Sequence, residues 1–374
     1  MKKTAILLAV LLVAVAANSQ NVTEEQALKK AQQFMKGKKL KPAPRMNLAR
    51  NMDNIKTNDA FYAFNAEEGG FVIVSGDDRT EEILGYSDSG RIDFDNMPKN
   101  MQAWLEGYAE QINSLGSSQT MLRPERSAKP AVNPLIETQW SQRDPYNLMC
   151  PEIDGQHCVT GCVATAMAQV LYYYRYPQEE TFEFPAYYSS PNWEIPSLPP
   201  TTFEWDDMLT HYDKNYSQEA ADAVAKLMRY CGQAVQMEYG LQESGSGVGK
   251  EIMHCYFGFS NSAEDVHRRY YSTVEWEDMM YQEVAEGRPV LYRGLSSVSG
   301  HEFICDGYDG TGLFHINWGW GGSCDGYFLL SVLDYSGNDI ASIGYSGEQR
   351  AIIHLRPRVN AKVPSARLVT VRRV

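Results

Sequence analysis

The first 115 residues combine two helical patterns with several strand patterns. Hydrophobic residues recur every three or four positions over residues 22–36, which predicts an amphipathic helix capped by Thr23. Apolar runs at 61–65 and 71–74 flank Glu-Glu-Gly-Gly, a sequence that predicts a β-hairpin. The other elements expected here are strands at 82–86 and 91–94 and a helix at 97–115.

The pattern changes in the second unit of the chain, which begins at residue 135. Residues 163–174 are apolar on almost every side, which predicts a helix buried in a core. Runs rich in Gly and Ser at 243–249 and 334–347 predict loops. The other elements expected here are helices at 218–231 and 275–286 and strands at 289–292, 301–308, 313–318 and 351–355.

The N-terminus has the pattern of an export signal. Two lysines precede thirteen apolar residues, 5–17, and Ala17 and Ser19 stand at the −3 and −1 positions of a cleavage site. The run is too short to span a bilayer, and no later run is long enough. We therefore expect residues 1–19 to be a signal peptide and the mature protein to be secreted or periplasmic, without a membrane span.

Length and charge divide the chain further. Its 374 residues, 43% hydrophobic and 22% charged, indicate a globular protein of two or three domains. The net charge is −13, and residues 132–357 hold 31 acidic but only 12 basic residues, so nucleic acid is not expected as a partner. Residues 116–134 are polar, basic and rich in Ser and Pro, which predicts an exposed, flexible linker. The predicted boundaries are thus 1–19, 20–115, 116–134, 135–357 and a basic tail at 358–374.

Cysteine and histidine side chains are absent from the first 149 residues. All seven cysteines and all seven histidines follow residue 149. Cys162 stands where a loop becomes the buried helix, and a helix N-terminus lowers the pKa of a thiol, which favours a nucleophile. The alternatives are a buried structural cysteine, a disulfide with Cys158, or a metal site with His157 and Cys158, although no second Cys/His pair has matching spacing.

A hairpin supplies the candidate base. If residues 301–317 fold about Asp309, then His301 and Asn317 face each other directly, and an amide oxygen can fix the imidazole tautomer. The rival base, His315, would then lie opposite Phe303, although a structural histidine is the preferred interpretation there. A register slip of one residue would remove the argument for the His301–Asn317 pair.

Three segments together resemble a known family. They are WSQRDPYN (140–147), TGCVATAMAQVLYYYRYP (160–177) and SGHEFICDGYDGTGLFHINWGWGG (299–322). In this order they resemble the streptopain family of papain-like bacterial cysteine peptidases. The resemblance implies an α+β fold: a papain-like catalytic domain with a central buried helix and an antiparallel sheet, preceded by a small α+β propeptide domain.

The resemblance also implies roles for single residues. Cys162 would be the nucleophile and His301 the base, with Asn317 orienting the histidine and Trp318 shielding that pair. Gln142 would bind the oxyanion together with the backbone N–H of Cys162. Ser246 and Gly300 correspond to positions that contact substrate.

The same resemblance explains residues 20–115. The segment 69–90, GGFVIVSGDDRTEEILGYSDSG, is similar to the family's inhibitory propeptide, so the chain is expected to be a zymogen. A permanent accessory domain is the alternative. The expected partners are protein or peptide substrates and the chain's own propeptide, and no metal or organic cofactor is required.

Other interpretations stay open at this point. A transglutaminase-like or amidase activity would use the same triad with a different acceptor or substrate, and a non-enzymatic binding or inhibitor protein would keep it without using it. Three features depart from the family pattern: Glu302 follows the base, where a small or apolar residue is typical, the tail 358–374 has no assigned role, and the chain has six cysteines beyond Cys162, where the family needs few. The pairing of six further cysteines is undetermined; these are Cys150, Cys158, Cys231, Cys255, Cys305 and Cys324.

Overall fold

The computed structural model describes residues 21–43, 59–115, 126–189, 193–295, 300–333 and 348–358. The predicted signal (1–19), the first part of the linker (116–125), the loop 334–347 and the tail beyond Arg358 lie outside the described residues. None of the helices in the described ranges combines the length and hydrophobicity needed to cross a membrane. All seven cysteines lie within those ranges, and all seven are free thiols.

The N-terminal unit, residues 21–115, has two helices and four strands in its described part. Thr23 caps the first helix as predicted, because its side chain accepts from the N–H of Gln26 while the Gln26 side chain accepts from the N–H of Thr23. The elements are α1 (Glu24–Phe34), β1 (Leu40–Pro42), β2 (Phe61–Ala66), β3 (Phe71–Ser75), β4 (Ile83–Ser87) and α2 (Lys99–Ser114).

The strand predicted at 91–94 is wrong. The Asn65 side chain takes the place of a strand partner: its amide donates to the Ile92 carbonyl at 2.8 Å and its oxygen accepts from the Ile92 N–H at 2.7 Å. Asp93 then turns the chain, since its carboxylate accepts from the N–H of Asp95 and the amide of Asn96. The side chain of one buried asparagine therefore makes the hydrogen bonds to the Ile92 backbone that a neighbouring strand was expected to make.

In the C-terminal unit, residues 126–358, the buried helix begins at Cys162, one residue before the predicted start. Its elements are β5 (Glu152–Ile153), β6 (Gln156–His157), α3 (Cys162–Tyr174), β7 (Tyr187–Ser189), β8 (Trp193–Ile195), α4 (Gln218–Ala234), α5 (Lys250–Phe257), β9 (Glu264–His267), α6 (Thr273–Ala285), β10 (Val290–Leu295), β11 (Gly300–Tyr308), β12 (Phe314–Asn317), β13 (Gly326–Phe328) and β14 (Arg350–Ile353).

One antiparallel sheet crosses both units. Among the described residues it has ten strands in the order β1-β2-β3-β4-β13-β12-β11-β10-β14-β9. The units join where β4 pairs with β13, with Tyr86 opposite Tyr327 and Gly85 opposite Phe328. The N-terminal unit thus extends the edge of the C-terminal sheet.

The two faces of this sheet lie in different cores. On one face Tyr292 and Phe303 pack with α2 and α6 of the two units. On the other face Leu291 and Ile304 pack with the buried helix α3 and with α4. The sheet strand that carries His301 therefore lies between the N-terminal helix α2 and the helix that carries Cys162.

Residues 126–134, the second half of the linker, are partly exposed but bonded to the rest of the protein. This corrects the expectation that this part of the linker is flexible. Val132 and Tyr308 exchange two backbone hydrogen bonds of 2.7 and 2.8 Å. The Arg126 guanidinium contacts Glu277 at 2.7 Å and Glu81 at 2.9 Å. This segment is thus tied to both units.

Candidate active site

Cys162 is the first residue of α3. The residue before it, Gly161, has φ +84°, and a Cβ there would lie 2.9 Å from Met237 and from the carbonyl oxygen of Ser244. Only glycine fits both the backbone angle and the space. The loop therefore enters the helix sharply and places the half-buried Cys162 side chain at the helix N-terminus.

Strand β11 lies directly against the thiol. The backbone N–H of Glu302 donates to Cys162 Sγ at 3.5 Å. Burial raises the pKa of Cys162, although the hydrogen bond from Glu302 acts in the opposite direction. The expectation of a lowered thiol pKa is therefore wrong for this state of the chain, because desolvation outweighs the effect of the helix N-terminus.

His301 precedes Glu302 on the same strand and lies opposite Gly294 of β10. Its pKa is lowered to about 4 by burial and by the nearby charge of Lys99, while Glu243 acts in the opposite direction. The imidazole is thus neutral at neutral pH. The predicted base is therefore the immediate neighbour, on β11, of the residue whose backbone contacts the predicted nucleophile.

The predicted register of the hairpin is wrong. Asn317 lies opposite Ile304 rather than His301, and His315 lies opposite Gly307 rather than Phe303. The turn is longer than assumed, since the Asp309 N–H donates to the Leu313 carbonyl, and the ladder shifts register between residues 305 and 307.

Asn317 instead links β12 to the buried helix. Its amide donates to the Thr138 carbonyl at 2.8 Å, and its oxygen accepts from the Gln169 side chain at 3.1 Å and from the Gly319 N–H at 3.0 Å. The orientation of His301 by Asn317 therefore stays a prediction. His315 contacts Asp306 through Nδ1 at 2.6 Å, an arrangement typical of a structural histidine.

Four more predicted site residues have defined surroundings. The Gln142 carbonyl accepts from the Thr160 N–H at 3.1 Å, which places Gln142 beside the loop that leads to Cys162. Trp318 is fully buried, and its indole N–H donates to the Cys324 carbonyl at 3.0 Å. The Ser246 hydroxyl donates to the Val235 carbonyl, and the exposed Gly300 begins β11.

Helix α2 of the N-terminal unit packs over this region. The Asn100 side chain donates to the Trp318 carbonyl at 2.9 Å, and Lys99 contacts Glu243 at 3.2 Å. The Trp104 ring lies 5.5 Å from Phe303 and 6.0 Å from Trp318. No local sequence pattern predicts these contacts, because they join segments more than 140 residues apart.

Comparison with known proteins places the chain among its relatives. The family models described as "Peptidase C10 family" and "Spi protease inhibitor" match residues 140–328 and 19–112. Streptopain of Streptococcus pyogenes is 34% identical over 333 residues, which cover 82% of this chain and 83% of that protein. The thiol protease/hemagglutinin PrtT of Porphyromonas gingivalis is 33% identical over 325 residues, which cover 80% of this chain and 37% of that protein.

Solved structures agree with these relatives. A fragment of Prevotella intermedia prointerpain A, in a cysteine-to-alanine mutant, has a TM-score of 0.71 and 31% identity, with 84% of this chain and 98% of that chain covered. Active wild-type interpain A of the same organism has a TM-score of 0.50 and 34% identity, with 60% and 95% covered. These matches confirm the resemblance, the α+β proenzyme fold and the prediction of an enzyme. The chain belongs to the peptidase C10 family, as a papain-like cysteine peptidase zymogen with an N-terminal propeptide inhibitor domain.

Proposed function

We propose that the chain is a secreted endopeptidase that hydrolyses peptide bonds with a Cys162–His301–Asn317 triad. The observation that carries the proposal is the 3.5 Å contact between the Glu302 N–H and Cys162 Sγ, since it joins the strand of the base to the helix of the nucleophile. The export signal is residues 1–19, and the activation linker is residues 116–134. These boundaries make residues 20–115 the propeptide and 135–357 the peptidase domain, with 358–374 as a tail.

The reaction proceeds through a thioester. His301 removes the proton of Cys162 Sγ, and the thiolate attacks the peptide carbonyl. The Gln142 side chain and the Cys162 N–H donate to the oxyanion, and the imidazolium of His301 then protonates the leaving amine. Water, deprotonated by His301, hydrolyses the thioester. Asn317 fixes the imidazole orientation, Trp318 shields that pair from water, and Ser246 and Gly300 contact the substrate.

Latency follows from the protonation states of Cys162 and His301, to which helix α2 contributes. A thiol with a raised pKa and an imidazole with a pKa of about 4 are both neutral near pH 7, so the thiolate–imidazolium pair is not formed in the zymogen. The propeptide contributes to this state, since burial and the charge of Lys99 both lower the His301 pKa. Removal of the propeptide takes away that charge and exposes the site.

A pair of chains tests the function. Residues 20–374 are expressed as wild type and as Cys162→Ala, incubated with a reductant, and followed by gel and N-terminal sequencing. We expect the wild type to shorten with a new terminus inside the linker and the variant to stay intact. If neither shortens, a protease added in trans cuts the linker before casein is offered. An absence of casein cleavage after that cut contradicts the proposal, whereas incorporation of an added amine identifies transglutaminase-like chemistry.

A further inference from the structure

Glu302 carries a buried carboxyl group beside the nucleophile. Its side chain is 3% exposed, and its Oε2 has no hydrogen-bond partner among the described residues. Burial raises the pKa of this carboxyl to about 8. A buried polar atom without a hydrogen-bond partner costs free energy, so its presence in a folded protein requires an explanation. A ligand that completes the hydrogen bond is one such reason.

The surroundings of Glu302 are polar on one side. Arg293 of β10 lies directly opposite Glu302 in the ladder, so both side chains are on the face of the sheet that packs against α3. The Arg293 guanidinium reaches the loop 243–249, where its Nη1 lies 3.1 Å from the point that a Cβ on Gly247 would occupy. Glu302 and Arg293 therefore lie on the same face of the sheet as Cys162, and the Arg293 guanidinium lies beside the loop.

The propeptide helix reaches the rim of the same region. Glu243, at the start of the loop, contacts Lys99 of α2 at 3.2 Å. Both side chains of that pair are largely exposed, so the contact is at the surface rather than within the core. Release of α2 thus removes the contact that the propeptide makes with this loop.

We propose that Glu302 and Arg293 form the floor of a substrate subsite that selects a carboxamide side chain, Gln or Asn, near the scissile bond. The proposal rests on the peptidase function proposed above. A carboxamide has an oxygen that accepts from the Arg293 guanidinium and an NH₂ that donates to Glu302 Oε2. A basic side chain would face the positive charge of Arg293, and an apolar side chain would leave Oε2 unpaired. A site built for hydrogen bonds rejects analogues that lack them.

The test compares matched peptides. Activated enzyme from residues 20–374 is assayed on peptides that differ only by Gln or Leu at each position next to the scissile bond, with active sites counted by iodoacetamide labelling of Cys162. At one position we expect kcat/KM to favour Gln by about tenfold or more. In Glu302→Ala the ratio should fall toward or below one. Arg293→Gln, which replaces the charged guanidinium of the neighbouring strand by a shorter neutral amide, should lower it as well.

The outcomes separate this inference from the general function. If no peptide is cut by the activated wild type, the proposed peptidase function fails. If peptides are cut but Gln and Leu are cut equally at every position, or the ratio is the same in wild type and both variants, the subsite is wrong and the peptidase stands. Should Glu302→Ala fail to fold, by circular dichroism, the Arg293→Gln ratio decides alone.

Discussion

At the scale of single residues, the zymogen keeps the side chains of the proposed nucleophile and base uncharged. Burial raises the pKa of Cys162 above its usual value. Burial is also the main reason why the pKa of His301 is lowered to about 4. A thiol is a poor nucleophile, since the thiolate is the reacting form. Latency therefore has an electrostatic part in addition to steric cover.

This gives a prediction for thiol reactivity. In the intact chain, iodoacetamide labelling of Cys162 should be slow at pH 7 and should rise with increasing pH, because burial raises the pKa of the thiol and so disfavours the reactive thiolate. After activation the labelling at pH 7 should be at least about tenfold faster. Peptide mapping by mass spectrometry separates Cys162 from the other six cysteines. Equal labelling rates before and after activation would contradict the electrostatic account.

A second prediction concerns Glu302 and pH. Its pKa is about 8 in the folded chain against 4.5 in the unfolded reference, so the folded state binds the extra proton. Its contribution to stability is therefore complete below about pH 4.5 and is lost as the pH rises through about 8. In a Cys162→Ala background, urea unfolding should show a loss of about 2–3 kcal/mol between pH 6 and pH 9 from this group.

The neutral variant Glu302→Gln should remove that loss. Its free energy of unfolding should depend less on pH over this range than that of the parent chain, by the same amount. The matched control is Glu251→Gln, an exposed carboxyl in the same unit, which should leave the pH dependence as in the parent. A pH dependence that is identical in parent and Glu302→Gln would mean that the carboxyl is ionised in the fold.

Single residues were also where sequence reasoning was strongest. Cys162 and His301 stand in short motifs whose chemistry depends on residue type, so both could be chosen without a structure. The unusual acid at Glu302 could be noticed, but its unpaired oxygen and its position opposite Arg293 depend on how strands pair. The role of Asn317 was argued from a register that one longer turn changes.

At the scale of elements, that turn shows why register is hard to predict. The Asp309 carboxylate accepts from the N–H groups of Thr311, Gly312 and Leu313, which produces a wider loop than the Asp-Gly pair suggested. Helices were predicted more closely because their apolar spacing is local, as in α3 and α4. The pairing of β4 with β13 joins residues more than 240 positions apart, and no local pattern encodes it.

Helix α2 carries the third prediction. Trp104 is 2% exposed and packs edge-on against Phe303 and Trp318. Replacing a buried aromatic residue by alanine removes about 3–5 kcal/mol of packing. Trp104→Ala should therefore loosen α2, and the unprocessed chain should cut a peptide substrate at least about tenfold faster than the unprocessed wild type.

The control for this prediction lies on the same helix. Asn113 is exposed, so Asn113→Ala should leave the activity of the unprocessed chain low. Both variants are assayed within minutes of adding reductant, before shortening is visible on a gel. Equal activities of Trp104→Ala and Asn113→Ala would show that the aromatic contact does not maintain latency.

At the scale of the whole molecule, the propeptide is both a cover and part of the sheet. Its four described strands continue the peptidase sheet through β4 and β13, where Tyr86 and Tyr327 stack at 5.2 Å. Hydrogen bonds add to this contact, since the Ser87 hydroxyl donates to the Asp325 carbonyl at 2.7 Å. Cutting the linker alone therefore leaves a large interface intact, and activation needs the propeptide to separate or be degraded.

The linker residue Arg126 connects the two units by charge. Its guanidinium makes two contacts with the buried Glu277 of α6, at 2.7 and 2.9 Å, and one with Glu81 of the propeptide at 2.9 Å. The other basic residues of the linker, Arg123 and Lys129, each precede a proline. The bond after Arg126 is thus the one linker bond suited to a trypsin-like protease. The contacts with Glu277 and Glu81 keep the Arg126 side chain from entering the specificity pocket of such a protease.

The last prediction follows from this arrangement. In a Cys162→Ala chain, which cannot process itself if Cys162 is the nucleophile, trypsin should cut slowly after Arg126. Glu81→Gln removes one of the two carboxylates that hold the guanidinium, and a partly buried pair of about 1 kcal/mol corresponds to roughly fivefold faster cutting. Glu82→Gln is the matched control, since that neighbouring carboxylate contacts Lys30 instead. Rapid cutting of the parent chain after Arg126, or equal rates in all three chains, would show that this charge network does not protect the linker, and the barrier to activation would then reside in the sheet and in α2 alone.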